Sequence, residues 1–170
     1  MLSIGTYVSY RAEGVCVISD IRTESFGDKS GDYYILAPLK DVNSVLYVPV
    51  DNELLVSRML PLLSSEEISA LAEELCDERM EWNLESRARN YQFRDILNSG
   101  DRRALIILVN TITEREANQL ITGKKLTGGD QSTLRRARKA LFDEFSITAN
   151  IANEEQLMDI LACRVKCRSK

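Results

Sequence analysis

The stretch RMLPLLSSEEISALAEEL, residues 58–75, marks the point at which the chain changes from one kind of secondary structure to another. Pro61 interrupts regular structure because proline has no backbone N–H to donate. Ser64 and Glu67 then have the spacing of a capping box, in which the serine caps a helix and the glutamate reaches back to it. Apolar residues recur beyond this point at helical spacing, namely Ile68, Leu71, Ala72 and Leu75. The stretch therefore predicts strands before it and helices after it.

Four short segments before residue 60 have the composition of β-strands, because each is rich in β-branched and aromatic residues. They are residues 7–10, 15–18, 33–36 and 45–48. Glycine, aspartate and serine in residues 27–32 predict a polar loop, and residues 41–43 predict the turn of a hairpin. Four or five such strands can close into a small barrel, which removes exposed sheet edges. We therefore predict a small β-barrel that ends at about residue 62.

Further helix signals follow in the second part of the chain. Gly100 ends one predicted helix, and Asp101 is placed to cap the next. The apolar stripe of that next helix consists of Leu105, Leu108, Val109 and Ile112. Residues 128–130 precede another helix, and Asn153 begins a second capping box before the last one, which runs through Val165. The predicted fold is α+β with two domains: a β-barrel in residues 1–62 and an all-helical domain of about five helices in residues 63–170.

The candidate functional side chains lie in residues 82–101, WNLESRARNYQFRDILNSGD. Arg87, Tyr91 and Arg94 share one helical strip because their spacing is i, i+4 and i+7. A basic and aromatic strip close to Trp82, the only tryptophan, suits contact with the DNA backbone and insertion into a minor groove. An alternative interpretation places Trp82 in the core. If the preceding helix continued, Trp82 would fall seven residues after Leu75 on its apolar stripe.

The composition argues against catalysis and against a membrane protein. The 170 residues are 44% hydrophobic and 28% charged, which is typical of a globular protein. Histidine is absent, so the commonest general base and the commonest metal ligand are missing, and no glycine-rich phosphate loop is present. We therefore expect no enzymatic activity, no cofactor and no small-molecule substrate. No apolar run is long enough to span a bilayer and no signal peptide opens the chain, so the expected location is cytoplasmic.

Cysteines and basic residues give weaker signals. The four cysteines are too scattered for a disulfide framework and should be free thiols in a reducing cytosol. Cys163 and Cys167 are one helical turn apart, but two sulfurs without further ligands are a poor zinc site. The net charge of −4 argues against indiscriminate binding to nucleic acid. Positions 124–139 contain six basic residues and a single acidic one, Asp130, and such basic runs are usually solvated helix faces. The basic residues are Lys124, Lys125, Arg135, Arg136, Arg138 and Lys139.

Three stretches of the chain resemble the CarD/CdnL family of bacterial transcription regulators, whose barrel is shared with transcription-repair coupling factors. Residues 4–18 (IGTYVSYRAEGVCVI) resemble the opening strands of the family. Residues 32–36 (DYYIL) with residues 47–50 (YVPV) resemble its central hairpin. The C-terminal signature is similar to residues 99–101 (SGD), Leu126-Thr127 and the segment from Leu134 to Leu141. The chain departs from the family at residues 10–14 (YRAEG), which lack the proline and the histidine of the family pattern.

The resemblance implies a Tudor-like barrel that docks on the β subunit of RNA polymerase and a helical domain that contacts promoter DNA. It implies partner-binding residues on the barrel, for which we select Arg22, Glu24, Tyr34 and Tyr47. The conserved tryptophan of the family wedges into the minor groove at the upstream edge of the transcription bubble. Trp82 occupies the matching position and is followed by basic residues, so the predicted DNA-binding set is Trp82, Arg87, Arg89 and Arg94.

The expected function is therefore that of a transcription regulator which stabilises the open promoter complex and reads little DNA sequence. The alternative is a protein-interaction adaptor whose helices make no direct contact with DNA. Exposure of Trp82 is the observation that separates the two. An exposed ring beside arginines favours DNA binding, whereas a fully buried ring favours the adaptor.

Overall fold

The computed structural model describes residues 2–10, 13–41 and 43–162. The chain divides into two compact units, Met1–Leu62 and Leu63–Lys170. The first unit contains the strands β1 (Tyr7–Tyr10), β2 (Val15–Phe26), β3 (Lys29–Pro38), β4 (Leu46–Pro49) and β5 (Met59–Pro61), with the short helix α1 (Glu53–Val56) before β5. The second unit contains the helices α2 (Ser65–Leu75), α3 (Ser86–Ser99), α4 (Arg102–Ile121), α5 (Gly128–Thr148) and α6 (Glu154–Leu161). The chain is therefore α+β, with an N-terminal sheet followed by helices, as the sequence predicts.

The five strands form one antiparallel sheet in the order β4-β3-β2-β1-β5. β4 and β5 are its two edges, and no hydrogen-bonded pairing joins these edges in the described part of the chain. The sheet is therefore not closed by hydrogen bonds, in contrast to the predicted barrel. Both edge strands are short and end in proline, Pro49 in β4 and Pro61 in β5, and proline cannot donate to a neighbouring strand.

A long hairpin replaces the polar loop predicted for residues 27–32. β2 and β3 remain paired as far as Phe26 and Lys29. Gly27 turns the chain with φ of 62°, a backbone conformation that favours glycine. The Thr23 hydroxyl donates to the Asp32 carboxylate at 2.6 Å across the two strands. Most side chains at this end of the hairpin are exposed on both faces, so the sequence shows no apolar alternation there.

One apolar cluster stabilises the sheet unit. Its buried members are Val8, Tyr10, Cys16, Ile18, Tyr34, Leu36, Val48 and Met59. Burial, with a smaller contribution from the nearby carboxylate of Glu13, raises the pKa of Cys16 to about 11, so the thiol stays protonated at neutral pH. Cys16 is therefore a packing residue of the sheet.

Three predicted helix signals are confirmed in the second unit. Ser64 and Glu67 form the capping box: the Ser64 hydroxyl accepts from the Glu67 backbone N–H, and the Glu67 carboxylate accepts from the Ser64 N–H at 2.7 Å. Gly100 follows α3 in the left-handed conformation, with φ of 68°. Asp101 caps α4 by accepting from the backbone N–H groups of Arg103 and Ala104. These caps fix the ends of α2, α3 and α4.

The helical core forms where the apolar faces of these helices meet. The stripe predicted for α4 is buried, together with Phe93 of α3, Leu141 and Phe145 of α5 and Leu157 of α6. α2 ends at Leu75, so Trp82 lies outside this helix and does not extend its stripe. Trp82 therefore belongs to the non-helical segment between α2 and α3.

The end of the chain is only partly described. α6 begins after its N-cap Asn153 and ends at Leu161. The predicted continuation of this helix to Val165 and the cysteines Cys163 and Cys167 lie outside the described residues. Among the helices that the structure describes, none is both long and apolar enough to cross a membrane.

Candidate functional site

Trp82 is half-buried. Its exposure therefore lies between the exposed ring expected for DNA binding and the fully buried ring expected for a protein-interaction adaptor. Its ring packs edge-on against Phe93 of α3, with centroids 5.9 Å apart and planes at 67°. The ring is also part of the periphery of the helical core. Trp82 is therefore partly a packing residue and partly accessible.

Arg89 was predicted to contact DNA, but the structure places it inside the helical unit. It is only 4% exposed. Its Nε and Nη2 atoms donate to the two carboxylate oxygens of Asp130 in α5, at 2.9 and 3.1 Å. Its Nη1 atom donates to the backbone carbonyl of Asn83 at 2.8 Å, and the guanidinium lies 4.7 Å from the centroid of the Trp82 ring. These internal contacts occupy the guanidinium, so Arg89 does not belong to the exposed basic strip.

A second guanidinium lies beside Trp82 and was not anticipated from the sequence. Arg115 of α4 is 5.3 Å from the centroid of the Trp82 ring. Trp82 and Arg115 line a cleft of about 190 Å³ with Arg79, Met80, Thr111, Glu114 and Asn118. The Met80 backbone N–H donates to the Thr111 hydroxyl at 3.0 Å, which ties the segment before α3 to α4. No local pattern around Trp82 indicates these contacts, because Arg115 is 33 positions further along the chain (115 minus 82).

The strip of Arg87, Tyr91 and Arg94 is present on the surface of α3, as the helical spacing predicts. All three side chains are exposed. The Arg94 guanidinium lies 4.8 Å from the centroid of the Tyr91 ring, a cation–π arrangement. Neither Arg87 nor Arg94 forms an ion pair with any described residue. This strip therefore offers two uncompensated positive charges to a partner.

The basic run on α5 is mostly solvated, in agreement with the usual interpretation of such runs. Arg135, Arg136 and Lys139 are exposed, and Lys139 pairs with Asp143 one turn later at 3.1 Å. Arg138 is less exposed and donates to the Thr113 hydroxyl of α4 at 3.0 Å. The run is therefore divided between solvent and helix packing.

The four residues selected for partner binding lie on the sheet unit in different environments. Arg22 is exposed and pairs with Glu24 at 2.7 Å and with Asp20 at 3.3 Å. The hydrogen bond that Arg22 donates to the Glu24 carboxylate is the main reason that the pKa of Arg22 is raised. Tyr47 of β4 is 40% exposed. Tyr34 is 2% exposed and belongs to the sheet core, so its side chain is not available to a partner.

Tyr47 belongs to a cluster of three surface aromatic rings on β2, β3 and β4, which we call the aromatic cluster: Phe26, Tyr33 and Tyr47. Phe26 lies 5.3 Å from Tyr33 and 5.1 Å from Tyr47, in edge-to-face geometry. Tyr33 and Tyr47 are 6.3 Å apart. Phe26 was missed in the sequence because its strand was predicted to end at residue 18. The three rings belong to three paired strands and are distant in the sequence, so their contacts appear only in the folded sheet.

The sheet unit matches a known domain family. A family model described as the CarD-like/TRCF RID domain matches residues 2–60, which are nearly all of the first unit. No curated protein matches the chain. The resemblance to CarD-like proteins is thus confirmed for the sheet unit. The match supports a transcription-related role that involves interaction with RNA polymerase.

Proposed function

We propose that the chain is a non-enzymatic cytoplasmic transcription regulator that binds the β subunit of RNA polymerase and promoter DNA, and thereby stabilises the open complex. The observation that carries this proposal is the match of residues 2–60 to the CarD-like/TRCF RID domain. In this proposal the sheet unit provides the polymerase contact and the helical unit provides the DNA contact. The proposal involves no cofactor and no metal.

The aromatic cluster is the best candidate for the polymerase contact. Aromatic residues and arginine are enriched at protein interfaces and dominate their binding energy. Phe26 is 51% exposed and Tyr47 is 40% exposed, although both side chains are large and apolar. Each ring is already fixed by its neighbours, so little side-chain entropy is lost when a partner covers the cluster. Arg22 and Glu24 lie on the same two-stranded hairpin and extend this surface with polar groups.

The Arg87 and Arg94 side chains are the best candidates for contact with DNA phosphates. They are exposed and uncompensated among the described residues, whereas Arg89 is occupied by Asp130. Phosphate contacts carry no base information, which fits a protein that reads little sequence. Because the net charge is −4, affinity for DNA alone should be weak. Binding to polymerase would raise the effective concentration of the helical unit at the promoter.

The polymerase contact predicts a specific loss on substitution of Tyr47. Tyr47→Ala in the full chain should weaken capture of RNA polymerase by about tenfold or more, because removal of an aromatic anchor commonly costs this much. Tyr7→Ala is the matched control: Tyr7 is 47% exposed on β1 of the same unit, away from the three rings of the cluster. Binding of both variants to polymerase is measured by biolayer interferometry. Equal affinities for the two variants would show that the aromatic cluster is not the contact.

The DNA contact predicts a change in salt dependence. Arg87→Ala with Arg94→Ala should make the slope of log affinity against log salt less steep by about 0.9 per lost contact, whatever the DNA sequence. Arg103→Ala is a suitable control because Arg103 is exposed but paired with Glu74. Fluorescence anisotropy with a forked promoter fragment gives the slopes. A chain that captures polymerase but binds no DNA at any salt concentration would instead be the protein-interaction adaptor.

A further inference from the structure

The aromatic cluster lies in an acidic part of the sheet unit. Residues 20–33, the outer part of the β2–β3 hairpin, contain more carboxylates than cations. The carboxylates are Asp20, Glu24, Asp28 and Asp32, and the cations are Arg22 and Lys29. Residues 1–62 as a whole contain eight acidic and five basic residues. The electrostatic field of this unit therefore favours a partner surface that carries positive charge.

Arg22 is the cation of the sheet unit that lies nearest to the middle of the cluster, since it is the cross-strand neighbour of Tyr33. Its guanidinium pairs with Glu24 at 2.7 Å and with Asp20 at 3.3 Å. Two carboxylates thus share one guanidinium, and the group of three keeps one negative charge. Neither Arg22 nor Lys29 makes a cation–π contact with the cluster in the part of the chain that the structure describes. The rings are therefore left to a cation from outside the chain.

The geometry of the three rings leaves ring faces open. Their planes are steeply inclined to one another, at 77°, 76° and 79°. An edge-to-face contact covers one face of one ring, so the three contacts cover at most three of the six ring faces. Phe26 is 51% and Tyr47 is 40% exposed. The face is the negative part of an aromatic ring, so an open face attracts a cation.

We propose that the aromatic cluster binds an arginine side chain of RNA polymerase. This inference rests on the proposed function, since it names the chemistry that the polymerase contact recognises. A guanidinium can stack on an aromatic ring and donate hydrogen bonds to a carboxylate at the same time. Glu24 precedes Phe26 by two residues on β2 and therefore lies on the same face of the sheet. The cluster and the Glu24 carboxylate together offer both kinds of contact.

Phe26 permits a test that changes the charge of a ring face but keeps the ring apolar. In the full chain it is replaced in turn by mono-, di- and trifluorophenylalanine, because each fluorine draws electron density away from the ring face. Affinity for RNA polymerase, measured by biolayer interferometry, should fall step by step and reach a loss of about fivefold with three fluorines, as expected for a cation–π contact. Affinity that is constant or rises along the series would show a purely apolar contact and overturn the inference.

Glu24→Gln tests the charge beside the rings. This change removes a carboxylate that would pair with the incoming guanidinium, and it releases Arg22 to repel that guanidinium. We expect affinity for polymerase to fall by about threefold and to depend less steeply on salt. Glu66→Gln, an equal change of charge at an exposed position of α2, should leave the affinity unchanged. If Glu24→Gln bound polymerase as well as the parent or better, the partner would present no positive charge here and the inference would be wrong.

Two comparisons distinguish failure of this inference from failure of the proposed function. Trifluorophenylalanine at position 7, outside the cluster, should give the same affinity as Tyr7→Phe. If the parent captures polymerase and Tyr47→Ala weakens the capture, but the fluorinated series at Phe26 is flat, the polymerase contact stands and only its cationic character is disproved. If the parent captures no polymerase, the polymerase contact of the proposed function fails and the inference fails with it.

Discussion

Asp130→Ala should lower the free energy of unfolding of the helical unit by about 3–5 kcal/mol, the cost typical of a buried ion pair that loses one partner. Asp130 is 1% exposed and accepts two of the three hydrogen bonds that the Arg89 guanidinium donates. It also accepts from the hydroxyl of Thr127, the N-cap of α5, at 2.8 Å. Its removal would leave Arg89 charged and buried without a counter-ion. The same change would loosen the Asn83 backbone, because Arg89 is its hydrogen-bond donor.

Urea unfolding of the full chain measures this loss. Trp82 is the only tryptophan, and it lies beside Arg89, so its fluorescence reports on the helical unit separately from the sheet unit. Glu74→Ala is the control, since Glu74 pairs with Arg103 at the surface, where solvent screens the attraction and the pair contributes little to stability. A loss for Asp130→Ala no larger than that of the control would mean that water reaches the Arg89 guanidinium and compensates it.

Local signals in the sequence were sufficient to predict most of the helix boundaries. The capping box at Ser64, the left-handed Gly100 and the capping Asp101 each act within one turn of a helix, so the residues that cause the boundary are adjacent in the chain. The apolar stripe of α4 was equally visible because burial of one helix face follows the 3.6-residue period. The strip of Arg87, Tyr91 and Arg94 was found by the same rule.

Features that depend on distant pairs could not be predicted in this way. Arg89 and Asp130 are 41 positions apart, and Arg102 and Glu144, a second buried ion pair between α4 and α5, are 42 apart. Nothing in either neighbourhood indicates the partner. A partial signal did exist for Arg89: it lies four residues before the buried Phe93 and therefore shares the inward face of α3. An arginine on an inward face is buried only when it is paired, which argues against contact with phosphate.

The sheet differs from the prediction for a related reason. Apolar alternation reveals only strands that have one buried face, and the far end of the β2–β3 hairpin has polar or exposed residues on both faces. Its strands are stabilised by pairing with each other and by bonds such as that from Thr23 to Asp32. The aromatic cluster could be assembled only after this pairing was known. Closure into a barrel was inferred from the number of strands and from the family resemblance, and neither determines whether the two edge strands pair in this chain.

Trp82→Ala should reduce both the stability of the helical unit and the lifetime of the open promoter complex. Surface substitutions usually change stability by less than about 0.5 kcal/mol, and replacement of a fully buried tryptophan by alanine costs about 3–5 kcal/mol. Trp82 is half-buried against Phe93, so we expect a loss of about 2 kcal/mol, between these limits. Trp82→Phe should recover most of the stability, because a smaller ring can still pack against Phe93.

The promoter experiment separates the two roles of Trp82. Thermal melting is followed by circular dichroism, since the substitution removes the fluorophore, and open-complex lifetime is measured with polymerase well below the melting temperature. If the Trp82 ring contacts promoter DNA, Trp82→Phe should retain part of the effect on lifetime, because a smaller aromatic ring can still stack in an opened base step. The expected order of lifetimes is parent, then Trp82→Phe, then Trp82→Ala. A folded Trp82→Ala variant that prolongs the open complex as well as the parent does would limit Trp82 to its packing against Phe93.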